Sequence, residues 1–83
     1  MYRLEFRPAA LRALRKLAPG AAERVRGALA LLAREPRPPS SRKLSGRDAY
    51  RVRVGDYRII YTIDDSRLIV VVVLVGHRSS VYR

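Results

Sequence analysis

The chain of 83 residues contains no cysteine, which excludes disulfides, thiolate metal sites and thiol nucleophiles. Its single histidine, His77, cannot build an imidazole metal cage. Acidic residues are scarce: 7 Asp and Glu stand against 18 Lys and Arg, for a formal net charge of +11. Long hydrophobic runs are missing too. The longest, Leu68 to Val75, is eight residues, well short of the roughly 20 that carry a helix across a bilayer. The opening Met1-Tyr-Arg-Leu-Glu5 alternates like a strand and lacks the apolar stretch of a secretory signal. These absences predict a soluble, cytoplasmic protein with no membrane association. They leave room for one modest core over residues 1–83, without a separate cofactor domain and with no cofactor or metal expected.

What is present is positive charge. Of the 18 basic residues, all but Lys16 and Lys43 are arginine. That much charge on a small domain favours a polyanionic partner, and arginine binds phosphate bidentately. Biased genomic composition would explain arginine in place of lysine, but it explains the excess of basic over acidic residues less well.

The most informative stretch is Ala49-Tyr-Arg-Val-Arg-Val-Gly-Asp-Tyr-Arg-Ile-Ile-Tyr61, in which large apolar residues alternate with arginines around Gly55-Asp56. It predicts a β-hairpin with a two-residue turn. That turn sets Val54 opposite Tyr57, Arg53 opposite Arg58, Val52 opposite Ile59 and Arg51 opposite Ile60. Side chains alternate faces along a strand, so Arg51, Arg53 and Arg58 point the same way. Tyr50, Tyr57 and Tyr61 then share the face of Val52 and Ile59, as core. Like charges directly opposite cost roughly 0.2–1 kcal/mol. A sheet that accepts this cost either keeps the face for an anion or leaves it as a hydrated outer surface.

Around the hairpin, Tyr2, Leu4 and Phe6 alternate with charged residues, predicting a first strand. Pro8 suits the first turn of a helix carrying Leu11, Leu14 and Leu17. Pro19-Gly20 is expected to break that helix. A second runs from about Ala21 to Arg34 and buries Val25, Ala28, Leu29 and Leu32, giving an antiparallel helical hairpin. Glu35 to Gly46 reads as a connector with a brief edge strand at Lys43-Leu44, and Asp64-Asp65-Ser66 as a turn. Leu68 to Val75 lacks polar alternation and is expected to be a central strand covered on both faces. The fold class is α+β, with helices on one face of a four- to five-stranded, mainly antiparallel sheet.

The order of elements, the hairpin Arg51-Val-Arg-Val-Gly-Asp-Tyr-Arg-Ile-Ile-Tyr61 and the closing Val75-Gly-His-Arg-Ser-Ser-Val-Tyr82 resemble the RelE/ParE toxin superfamily, most closely its RelE branch. The resemblance covers nearly all of the chain. It implies the toxin of a type II toxin–antitoxin module, an endoribonuclease that enters the ribosomal A site and cuts mRNA without a metal. It also implies a cognate antitoxin that wraps and silences the toxin, and higher-order complexes of the two. By the same resemblance the catalytic set falls on Arg53, Arg58, Arg78 and Tyr82, with Arg51 on a flanking phosphate. Where the family often has lysines on the strand before the turn, Arg51 and Arg53 stand here, which argues against proton transfer from that pair. The sequence ends one residue after Tyr82, so Tyr82 is expected to be weakly held.

The residue types fit that chemistry. Fixed guanidinium charge stabilises a developing phosphorane, but guanidinium cannot act as a base. Tyr82 is the first candidate acid/base, because nearby cations would lower a phenol pKa from about 10. His77, with an ordinary pKa near 6.5, is the rival candidate and a possible RNA contact. Arg42, Lys43 and Arg47 lie close to the hairpin in sequence and are expected to bind RNA phosphates. The helical arginines Arg12, Arg15, Arg24 and Arg26, with Lys16, form a solvated face. Two other readings compete: a ParE-like inhibitor of DNA gyrase, and a non-catalytic nucleic-acid-binding module. Hydrophobic surface left by the apolar strand and helices would suit a protein partner, and an acidic segment would complement the basic face.

Overall fold

The computed structural model describes residues 1–77. Strand β1 (Arg3–Phe6) leads into helix α1 (Pro8–Arg15) and helix α2 (Pro19–Arg34). Strands β2 (Arg42–Lys43), β3 (Tyr50–Val54), β4 (Tyr57–Asp64) and β5 (Ile69–His77) follow. The five strands form one sheet in the order β1-β5-β4-β3-β2. All neighbours are antiparallel except β1 and β5, which run parallel with Leu4 beside Val70 and Phe6 beside Val72.

Both helices begin on a proline, whose fixed φ and missing N–H suit the first turn. Pro19 therefore starts α2 where the sequence suggested a break, and Gly20 lies inside the helix. The first helix ends at Arg15, leaving Leu17 and Ala18 in the connection. Helix α1 packs on β5, while α2 reaches both β1 and β3. Ala10, Leu14, Val25, Leu29 and Leu32 meet Val52, Ile59, Tyr61, Val70, Val72 and Val75 in the core. Tyr61 is fully buried, stacks on Tyr50 at 5.9 Å and donates its hydroxyl to the Pro36 carbonyl at 2.7 Å. That burial raises its pKa above the usual phenol value.

The hairpin has the predicted pairing, from Val54 with Tyr57 to Arg51 with Ile60. Gly55 turns it with φ of 59°, a left-handed conformation that costs glycine little. In β5 the all-apolar run hides an irregularity. Ile60 pairs with Leu74 but Tyr61 pairs with Val72, so Val73 is an extra residue. This bulge moves the core-facing set from Val70 and Val72 to Val75. The expectation of cover on both faces of this strand is corrected: among the described residues both helices lie on one side, and Val71, Val73 and Leu74 are half-buried on the other. The edge strand also sits one residue earlier than expected, at Arg42–Lys43.

A second fixture ties the connector to both ends of the sheet. Arg37 grips Asp65 with two nitrogens, at 3.2 and 2.9 Å, and donates its Nε to the Tyr50 hydroxyl at 3.2 Å. Tyr2 donates its hydroxyl to the same Asp65 carboxylate. The Arg37 guanidinium, then the Tyr2 hydroxyl, hold the Asp65 carboxyl below its ordinary range.

Candidate functional site

The sheet face opposite the helices carries the arginines. Arg53 pairs with Arg58, and Arg51 lies in the next row with Arg42 on one side and Ile60 on the other. Successive rows on one face are separated by about 6.6 Å, two strand residues. Ser40, Arg42, Arg51 and Arg53 surround a depression of about 330 Å³. Ser40 is presented there by a turn in which Ser41 bonds the Pro38 carbonyl through both its N–H, at 2.9 Å, and its hydroxyl, at 2.8 Å. The sequence reading missed Ser40. Its place in the Pro38-Pro-Ser-Ser41 turn just before Arg42 was the available signal.

Among the described residues the ion pairs are Arg3–Glu5 at 3.5 Å, Arg37–Asp65 at 2.9 Å and Arg67–Asp64 at 3.9 Å. Arg42 and Arg53 take part in none of them. A concentration of guanidinium groups draws anions, and its planar donors fit two phosphate oxygens at once.

The other candidates divide by face. Arg47 projects from the Leu44–Ala49 loop, closed by the Leu44 N–H on the Ala49 carbonyl at 2.9 Å. It lines a neighbouring depression of about 320 Å³ with Ala49, Ile60, Thr62, Val73 and Leu74. Lys43 pairs with Tyr50, so it leaves the sheet on the side away from Arg42 and Arg51. His77 pairs with Tyr57 and meets that ring edge-on at 5.6 Å, while Gly76 occupies the place beside Arg58. The bulge at Val73 causes this. Without the extra residue, strict alternation from Val72 would put His77 on the arginine face. Arg78 and Tyr82 lie outside the described residues. Arg24, assigned by sequence to a solvated helix face, comes within 3.9 Å of the position a Cβ on Gly55 would occupy, so it borders the hairpin turn.

Comparison with known proteins places this geometry in a family. A model of the ParE toxin of type II toxin–antitoxin systems matches residues 4–82. The chain belongs to the RelE/ParE toxin superfamily. It is the toxin of a type II toxin–antitoxin system, of RelE type. Toxin RelG of Mycobacterium tuberculosis is 40% identical over 86 residues, covering 99% of this chain and 97% of that protein. The isolated E. coli RelE toxin superposes with a TM-score of 0.84 at 33% identity, covering 99% of this chain and 92% of that one. The toxin in the intact E. coli RelBE toxin–antitoxin complex gives 0.83 at 31% identity, covering 93% and 96%. The α+β architecture with its five-stranded sheet is that of these RelE structures.

Proposed function

We propose that this RelE-type toxin is a ribosome-dependent endoribonuclease that cuts mRNA in the A site, in the cytoplasm, and is silenced by a cognate antitoxin. The observation that carries the reading is the gathering of Arg42, Arg51, Arg53 and Arg58 on the sheet face opposite α1 and α2. In the proposed reaction the ribose 2′-hydroxyl attacks the adjacent phosphorus, the bond to the 5′-oxygen breaks and a cyclic phosphate forms. One proton leaves the 2′-oxygen and one reaches the departing 5′-oxygen. Arg53 and Arg58 neutralise the phosphorane as its charge develops, which is the effect that lowers the barrier most. Arg51 and Arg42, one row away, hold a flanking phosphate. Arg78 and Tyr82 complete the set by correspondence with the family motif, Tyr82 as the proton carrier. Alignment of the mRNA in the A site would supply the proximity that so sparse a set of groups lacks.

The match to a ParE family model favours a second reading, in which the protein inhibits DNA gyrase and cuts nothing. The 40% identity to Toxin RelG and the RelE structural likeness support the first. Mapping cut sites in transcripts translated in vitro, beside a supercoiling assay, separates the two. Codon-phased cuts with unaffected supercoiling support the nuclease. Intact transcripts with lost supercoiling overturn it.

A further inference from the structure

The row that begins with Arg42 and Arg51 continues across the sheet to Ile60 on β4 and Leu74 on β5. Charge therefore gives way to an apolar shelf one strand from Arg51, about 4.8 Å away. That shelf is the depression of about 320 Å³ bordered by Arg47. Its floor is Ile60, Val73 and Leu74, each half-buried, and the bulge supplies Val73. Two polar side chains, Arg47 and Thr62, border it; among the described residues no carboxylate does. Neither of the two takes part in a side-chain hydrogen bond or ion pair among the described residues. The loop fixes where Arg47 starts. Its N–H bonds the Leu44 carbonyl at 3.4 Å, across a Gly46 with φ of 68°, and the Leu44 N–H bonds the Ala49 carbonyl at 2.9 Å.

Closeness to the hairpin in sequence suggested a phosphate contact for Arg47. The shelf suits a phosphate poorly. An anion there would meet one cation and an apolar floor, while Arg42, Arg51 and Arg53 stand together around the next depression. An unstacked nucleobase has the matching make-up, a flat apolar face and a polar edge. The volume lies near the lower end of the range for small-ligand sites, about 300–1,000 Å³, a size for one ring system. A strand whose phosphates lie on Arg51 and Arg53 passes directly beside it. The geometry points to a nucleobase subsite, in which one base of the RNA lies flat on Ile60, Val73 and Leu74 and presents its edge to Arg47 and Thr62. A guanidinium group only donates, so Arg47 selects an edge that offers acceptors. The inference rests on the endoribonuclease reading and names the part of the substrate that the shelf takes. Phosphates on the hairpin arginines then give affinity, and Arg47 with Thr62 gives sequence preference.

The test uses the purified toxin and fluorescein-labelled RNA hexamers: adenine, cytosine or uracil alone, a mixed one containing guanine, and one of the same ribose phosphates without bases. Arg47→Met and Thr62→Val change the shelf's polar edge, and circular dichroism checks their folds. The wild type is expected to bind one base-bearing hexamer about tenfold more tightly than the base-less one. Both variants should shrink that ratio and leave base-less affinity within about twofold. The slope of log K against log salt should stay unchanged in Arg47→Met, because a base contact displaces no counterion. Equal losses on both kinds of hexamer, with the slope lower by about 0.7, would make Arg47 a phosphate contact and overturn the subsite. Wild-type affinities for every hexamer in both variants would overturn it as well. In transcripts translated in vitro, Arg47→Met should flatten the base preference around the cut sites, and a preference left intact would contradict the inference. If the wild type cuts no transcript yet favours a base-bearing hexamer through Arg47, the nuclease reading falls and the subsite stands.

Discussion

Arg53 and Arg58 face each other across the hairpin, Cα partners on adjacent strands with both side chains on the face opposite α1 and α2. Two like charges in that relation oppose folding while favouring an anion. Replacing Arg53 with Gln is therefore expected to hold or raise stability, by up to about 1 kcal/mol, while mRNA cutting falls by about 10² or more. Thermal denaturation and a translation-coupled cleavage assay read the two effects separately. Arg58→Ala is expected to abolish cutting while the protein still binds its antitoxin.

The division of Arg42 from Lys43 predicts different salt behaviour. Each phosphate contact to single-stranded RNA contributes about 0.7 to the slope of log K against log salt. Arg42→Ala should lower that slope by about this amount. Lys43→Ala, which alters the opposite face, should leave it unchanged. Titrations at several salt concentrations decide it, and equal effects would contradict the pairing of β2 with β3.

Two left-handed backbone positions predict opposite signs. Gly55, with φ of 59°, should lose about 1 kcal/mol or more on replacement by Ala, because a Cβ there crowds the carbonyl. Leu68, with φ of 56° and 47% exposed, already bears that crowding. Leu68→Gly should gain up to about 1 kcal/mol. Urea unfolding of both variants gives the comparison.

Tyr61→Phe should cost about 1–3 kcal/mol, because it strips the buried Pro36 carbonyl of its donor without opening a cavity. The phenol also predicts alkaline sensitivity. A pKa raised in the folded state gives stability that is present below the unfolded value near 10 and lost as pH climbs through the folded value. The phenylalanine variant should lose that dependence.

Asp65 predicts the acid limb. Its pKa is depressed on folding, so its contribution is present above the unfolded value near 3.9 and disappears as pH falls through the folded one. Asp65→Asn should flatten the decline in melting temperature below about pH 4. An unchanged decline would show that the Arg37 clamp does not matter to acid stability.

The hairpin was legible because polar and apolar residues alternate strictly around a turn that tolerates positive φ, so one pairing alone buries Val52, Ile59 and Tyr61. From that followed the shared face of Arg51, Arg53 and Arg58. The bulge at Val73 was hidden because every residue from Leu68 to Val75 is apolar, and a slip of one buries an equivalent side chain. The face taken by His77 was hidden with it. Strand β2 is two residues long, too short for a period to separate Arg42 from Lys43. The clamp of Arg37, Asp65 and Tyr2 joins positions 28 and 63 apart in sequence, and no local pattern announces such contacts.

The parallel seam between β1 and β5 joins two segments far apart in sequence, Arg3 lying beside Ile69. A nascent chain holds Leu4 and Phe6 without their neighbours until Val70 and Val72 have cleared the exit tunnel. Pairing between such remote segments is slow to form, since the loop must close before any contact rewards it. The seam is therefore expected to form late in folding, after the hairpin, and its amides to gain their protection from hydrogen exchange last.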